Sequence, residues 1–236
     1  MAYAFVQQNA ADNAASATTI TVTLTPTAGN LLVLCATGDA LDTSSIALSD
    51  NLGSHNTFTQ IGTDLVTTAD QRCAWYFAAN CKGGATTFTA TFSTGTRFRT
   101  IYVAEYSGIV TSSPFLNGAR AESANPGTGA DAVSSGNANA TSQPALVWGF
   151  GIDINGNSTP DAGTGFTSRT GVWTSATSLA RPEDKRVTVT GNVAATFTAT
   201  TGTDVHGTGV GIFAEVVTAA SDPPIRPRTP SYLHSL

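Results

Sequence analysis

In the stretch TTITVTLT, Ile20, Val22 and Leu24 alternate strictly with threonines. A period of two belongs to an extended strand, whose successive side chains point to opposite faces, and β-branched residues suit its pleated surface. Such a strand must lay its apolar face on another layer. The alternation returns in TTFTATF around Phe88, KRVTVTG around Val187 and AATFTAT around Phe197, with Gly, Asn, Asp or Pro between these runs. No segment of useful length carries a helical period. Three segments, NLLVLCA from Asn30, RTIYVAEY from Arg99 and ALVWGFGI from Ala145, are apolar on both faces and predict central strands covered on both sides. The chain therefore reads as all-β, an antiparallel β-sandwich of jelly-roll type.

An internal echo organises these strands. GATTFTATFSTG and VAATFTATTGTD share TFTAT, and each is followed at similar distance by Ala-Glu, at Ala104-Glu105 and Ala214-Glu215. Upstream, NTFTQIG and GTGFTSRTG align through Phe58 and Phe166, and NLLVLCATGDA matches PALVWGFGIDI in position. Four blocks in one order point to duplication, with sequence-related halves at about 18–106 and 132–217 inside one unit, 1–220. The connection Ser107–Thr141, rich in Ser, Asn, Gly and Ala, reads as a surface crossover or a binding loop. After Val217 the composition changes to ASDPPIRPRTPSYLHSL, whose four prolines exclude helix and central strand alike. Residues 221–236 are expected to form an extended arm, with Arg226, Arg228, Tyr232 and Leu233 as its partner-binding residues.

Composition narrows the function. Charged residues make up 11% of 236 and the net charge is -5, with no basic cluster to neutralise a row of phosphates, so no nucleic-acid partner is expected. The start, MAYAFVQQNAADNAA, has no basic residue before a hydrophobic core, and no apolar run approaches membrane-spanning length. The expectation is a protein made in the cytosol, without a signal peptide or a membrane partner. Cys35, Cys73 and Cys81 show no C-x-x-C spacing and read as structural thiols.

Candidate chemistry is sparse. Asp153, Asn155, Asn157 and Asp161 in DINGNSTPD supply alternate oxygen ligands, the start of a calcium-loop pattern, but Ser158 and Thr164 stand where such a loop needs Gly and Glu. A polar hairpin turn explains the same residues. Calcium is the one cofactor considered, and none is otherwise expected. Glu105 and Glu215 end apolar strands at matching places, and repetition favours a structural hydrogen bond over catalysis. Glu183 and Asp184, among Arg181, Lys185 and Arg186, read as a salt-bridged surface turn rather than a glycosidase pair. His55, His206 and His234 accompany no nucleophile motif; HGTG from His206 lies in a strand-like pattern without G-x-S-x-G. No catalytic residue is assigned and no enzyme is expected. Trp75 and Trp148 sit in hydrophobic runs as core, whereas Trp173 in TGVWTSATS has polar neighbours and is the candidate glycan contact.

The strings AGNLLVL, CAWYFA, GATTFTATFS, VAEYSG, DAGTGFTSRT and PEDKRVTVTGNVAATFT resemble β-sandwich proteins encoded by bacteriophages and found as modules in bacterial surface proteins, over about Asn30 to Val217. The resemblance implies a jelly-roll or lectin-like sandwich serving as a virion component or an adhesive module, and supplies no active site. The expectation is a non-enzymatic virion structural protein, of capsid-decoration or fibre type, that binds itself as a homo-oligomer and other virion proteins. The alternative is an extracellular or bacterial cell-surface module that binds carbohydrate, a surface glycan, or mediates adhesion.

Overall fold

A computed structural model describes residues 2–39, 45–68, 70–124, 131–153, 160–169, 179–199 and 205–217. The described chain is all-β. In order its strands are β1 (Ala4–Asn13), β2 (Ala17–Thr23), β3 (Leu31–Asp39), β4 (Ile46–Asp50), β5 (Thr59–Gln60), β6 (Leu65–Val66), β7 (Gln71–Ala78), β8 (Thr87–Thr96) and β9 (Arg99–Ser107). There follow β10 (Phe115–Ala124), β11 (Asp131–Ser134), β12 (Ala138–Ala140), β13 (Ala145–Asp153), β14 (Asp161–Ala162), β15 (Thr167–Ser168), β16 (Leu179–Val187), β17 (Gly191–Val193), β18 (Thr196–Ala199) and β19 (Val205–Ala214).

These strands stack in four layers. One inner sheet has the order β1-β9-β3-β7-β5, with β6 also on β7; the other has the order β10-β19-β13-β16-β15. Their facing sides close one core, in which Val33, Trp75, Tyr102 and Tyr106 meet Leu146, Trp148, Phe150 and Phe213. Outside the first inner sheet lies β2-β8-β4, joined to it by Leu34, Tyr76, Val103, Ile20, Val22, Phe88 and Phe92. Outside the second lie β11-β18-β14 and the pair β12-β17, whose Val133 and Phe197 pack over Val147, Val210 and Ile212. The strands that carry the echoed motifs take corresponding places in the two sets of sheets. All pairings among the described residues are antiparallel.

The three doubly apolar runs are β3, β9 and β13, and their buried patterns follow from lying between two cores. Alternation in β2 likewise buries Ile20 and Val22 and exposes the threonines between them. Each large side chain taken from water in this way is worth roughly 1.5–3 kcal/mol, which is what holds four layers together.

The inner sheets interlock through bare backbone. Gly207, Gly209 and Gly211 alternate along β19; a Cβ at Gly209 would collide with the Trp75 ring, and one at Gly207 would come within 3.0 Å of Cys73 Sγ. Glycine here makes room for a neighbouring ring rather than for a turn. The fragment HGTG is part of this strand.

Three readings change. The described residues of 107–141 are largely strand, since β10 pairs along its length with β19 and β11 and β12 join the outer layer. RPEDKR lies within β16, not in a surface turn, and buries Glu183 and Asp184. Pro182 is tolerated because its carbonyl accepts from Arg169 N–H on the β15 side, so its missing N–H falls there too and not on the β13 ladder. The alternation in KRVTVTG leaves the sheet after Val187, and Val189 is 72% exposed. β1 and β10 each close an edge of an inner sheet. Edge strands need little apolar alternation, which is why AFVQQNAADN gives a weak signal.

Candidate functional site

The buried polar groups come first, because each must be matched to a partner. Asp184, on the face of β16 toward the first inner sheet, accepts from Tyr3 Oη at 2.9 Å, Tyr106 Oη at 2.8 Å and Arg169 Nε at 2.5 Å. Arg169 in turn lies 4.2 Å from the centre of the Phe5 ring. Burial first raises Tyr3 and Tyr106 above the ordinary phenol range, followed by the Asp184 charge at Tyr3 and by Tyr102 and then Asp184 at Tyr106. The cluster ties the N-terminal segment and β9 to β16, a link between halves.

The paired glutamates are held by hydrogen bonds to neighbouring segments. Glu105 is fully buried and accepts from Gln7 Nε2 at 2.5 Å, Thr27 N–H at 2.8 Å and Asn30 Nδ2 at 2.5 Å. Glu215 accepts from Arg186 Nε at 2.8 Å and from Tyr3 N–H at 3.3 Å. Glu183 points the other way, beneath the outer layer, where Gly163 N–H donates to Oε2 at 2.8 Å. Its Oε1 is buried with no hydrogen-bond partner among the described residues, and burial pushes its carboxyl up to about 8. The neighbouring Lys185 rests 4.0 Å from the centre of the Phe166 ring.

Of the proposed calcium ligands, Asp153 is buried at the end of β13, opposite His206 on β19, and Asp161 is exposed on β14, 3.8 Å from Arg181. Asn155 and Asn157 lie outside the described residues. Among the described residues no group of three or more His, Cys, Asp or Glu is placed to hold a metal ion. His55 sits 2.8 Å from Asp50, whose carboxyl burial would raise but which hydrogen bonds from Asn56, His55 and Leu52 hold below the usual range. Trp75 and Trp148 are core. Trp173, His234, Arg226, Arg228, Tyr232 and Leu233 lie outside the described residues. The three cysteines are buried and free.

One surface stands out among the described residues. On the outward side of β2-β8-β4, Thr91 pairs with Thr19 and Ala47, Thr89 with Thr21 and Ser49, and Thr87 with Thr23. Rows on adjacent strands are about 4.8 Å apart and alternate residues along a strand are about 6.7 Å apart, so the side chains form a regular grid of hydroxyls and methyls. None of these residues is ionisable. The signal for this grid was present in TTITVTLT and TTFTAT, where the threonines mark the face turned from the core.

No family model, curated protein or solved structure matches the chain.

Proposed function

We propose that the chain is a non-enzymatic structural protein of a bacteriophage virion, a capsid-decoration or fibre-type component that works through contacts with itself and with other virion proteins. The carrying observation is the uncharged threonine grid on β2-β8-β4. Covering it with a second protein surface strips no ion of water, and the cores of protein interfaces are depleted in charge for that reason. The rigid interior supports the same role, since Glu105, Glu215 and Asp184 are engaged in holding strands together. Assignment to a phage particle rests on the sequence resemblance, with the Pro-rich arm at 221–236 adding reach.

Sedimentation of the full chain, a version ending at Ala220 and a Thr89→Lys variant tests this reading. A defined oligomer that dissociates when a lysine is set into the grid supports it, and loss on truncation assigns part of the contact to the arm. A full-length chain that stays monomeric at all concentrations contradicts it.

A second reading, a carbohydrate-binding or adhesion module outside the cell or on a bacterial surface, rests on Trp173 as its candidate contact, and glycan binding lost on Trp173→Ala would support it.

A further inference from the structure

The segment 160–169 crosses from the outer layer to the edge of the second inner sheet, over the outward face of β16. It carries β14, which pairs with β18, and β15, which pairs with β16, each two residues long. Phe166 alone in the segment joins the apolar cluster beneath the outer layer. Polar ties from alternate residues of β16 supply the rest. Arg181 donates from Nε to Pro160 O at 2.8 Å and from Nη1 to Ser168 Oγ at 2.8 Å, and Lys185 Nζ lies over the Phe166 ring. Between them, Glu183 Oε2 accepts from Gly163 N–H at 2.8 Å.

The middle tie depends on a proton. Glu183 is fully buried and its Oε1 has no hydrogen-bond partner among the described residues. Nor does β13 leave room for a water there: a Cβ on Gly149 would lie 2.6 Å from Ala195 Cβ and 3.0 Å from Oε1. A carboxylate shut in this way lacks the solvation its charge requires, whereas the neutral acid does not. Burial accordingly pushes the carboxyl up to about 8, against the opposing pull of the Gly163 and Thr196 N–H groups and of Lys185, with Asp184 adding to the rise.

The charged groups around Glu183 do not relieve it. Arg181 is engaged with Pro160 and Ser168, and Asp161 on β14 is exposed and 3.8 Å from Arg181. The facing strand β18, TFTA, has no ionisable residue, and Asp153 and His206 sit at the far end of β13 and β19. Water therefore has to enter for Glu183 to ionise. β13 lies between two cores, so the side that yields is the thinly anchored segment 160–169.

We propose that residues 160–169 form a proton-controlled flap, closed over a neutral Glu183 and released when that carboxyl ionises, which bares the outward face of β16. In the open form the carboxyl is hydrated and returns toward its ordinary value of 4.5. Closure then takes up a proton between pH 4.5 and about 8, so opening grows by up to about tenfold per pH unit across that window and levels off above it.

The test is amide hydrogen exchange of the full chain by NMR between about pH 5.5 and about pH 9, corrected for intrinsic rates, with and without a low concentration of urea. Protection at Gly163, Phe166 and Arg169 should fall by up to about tenfold per unit to pH 8 and then level, without dependence on urea. Glu183→Gln, which keeps the side chain neutral, should make that protection flat with pH. Phe166→Ala, which removes the apolar anchor, should lower protection by the same factor at every pH and leave the slope unchanged. Flat protection at Gly163 in the wild type, or an unaltered slope in Glu183→Gln, would overturn the flap. So would exchange at Gly163 that rises with urea in step with β13, since whole layers would then be opening. If Glu183→Gln does not fold, the wild-type slope and its urea independence decide the matter.

Discussion

β7 and β16 occupy the same place in their inner sheets, and they are built from opposite materials. β7, QRCAWYFA, places Cys73, Trp75 and Phe77 in the central core and Ala74, Tyr76 and Ala78 in the outer one. β16, LARPEDKRV, sets Asp184 and Glu183 against those two regions instead. Register makes the contrast direct: Cys35 of β3 faces Trp75, whereas Trp148 of β13 faces Asp184. The paired glutamates repeat the theme, since Glu105 is held by amides and a backbone N–H and Glu215 by the Arg186 guanidinium and Tyr3 N–H. One strand plan thus tolerates two chemistries. Apolar packing in the first half is indifferent to pH, while the second half depends on protonation states and on partners lent by the first.

Removing Asp184 should have the largest effect, because it strands Arg169 and two tyrosine hydroxyls at once. Asp184→Ala is expected to cost about 3–5 kcal/mol in urea unfolding, the range for breaking a buried ion pair from one side. Glu105→Gln in the first half should cost about 1–2 kcal/mol, since a neutral amide keeps one acceptor. Equal losses at the two sites would remove the contrast.

The pH response comes next. Glu183 has its carboxyl raised from 4.5 to about 8, so between those values the folded chain holds a proton that the unfolded chain has released. Its contribution is therefore full below about pH 4.5, falls as pH rises through 8 and is flat above, a change on the order of a few kcal/mol. Glu183→Gln should flatten the stability profile over that window, as read by the difference between wild-type and variant melting at each pH. An unchanged slope would remove Glu183 as its source.

The junction between halves should respond more modestly. Gly209→Ala pushes a methyl into the Trp75 ring and is expected to destabilise by about 1–3 kcal/mol. Gly53→Ala, with open space around the added carbon, should stay within about 0.5 kcal/mol. Smallest of all, Thr91→Val on the outer grid should leave stability within about 0.5 kcal/mol, because the residue touches solvent on its hydroxyl side.

The layers that bury apolar side chains locally were legible in the sequence. TTITVTLT, NLLVLCA, RTIYVAEY and ALVWGFGI each carry their own burial pattern, and the strand type and central position follow from it. β16 was not legible, because what buries its charges is remote in the chain: Asp184 meets Tyr3 and Tyr106, 181 and 78 residues away. Nor was the seat for Trp75 at Gly209, although Gly207, Gly209 and Gly211 mark β19 with an alternation of absent side chains.

Hydrogen exchange of the full chain, read by peptide at about pH 5.5 and about pH 8.5 and corrected for intrinsic rates, tests the contrast between the halves most directly. Peptides spanning β13, β16 and β18 should lose protection at the higher pH while those spanning β3, β7 and β8 keep theirs. Equal loss in both sets, or a greater loss in the first half, would contradict the account.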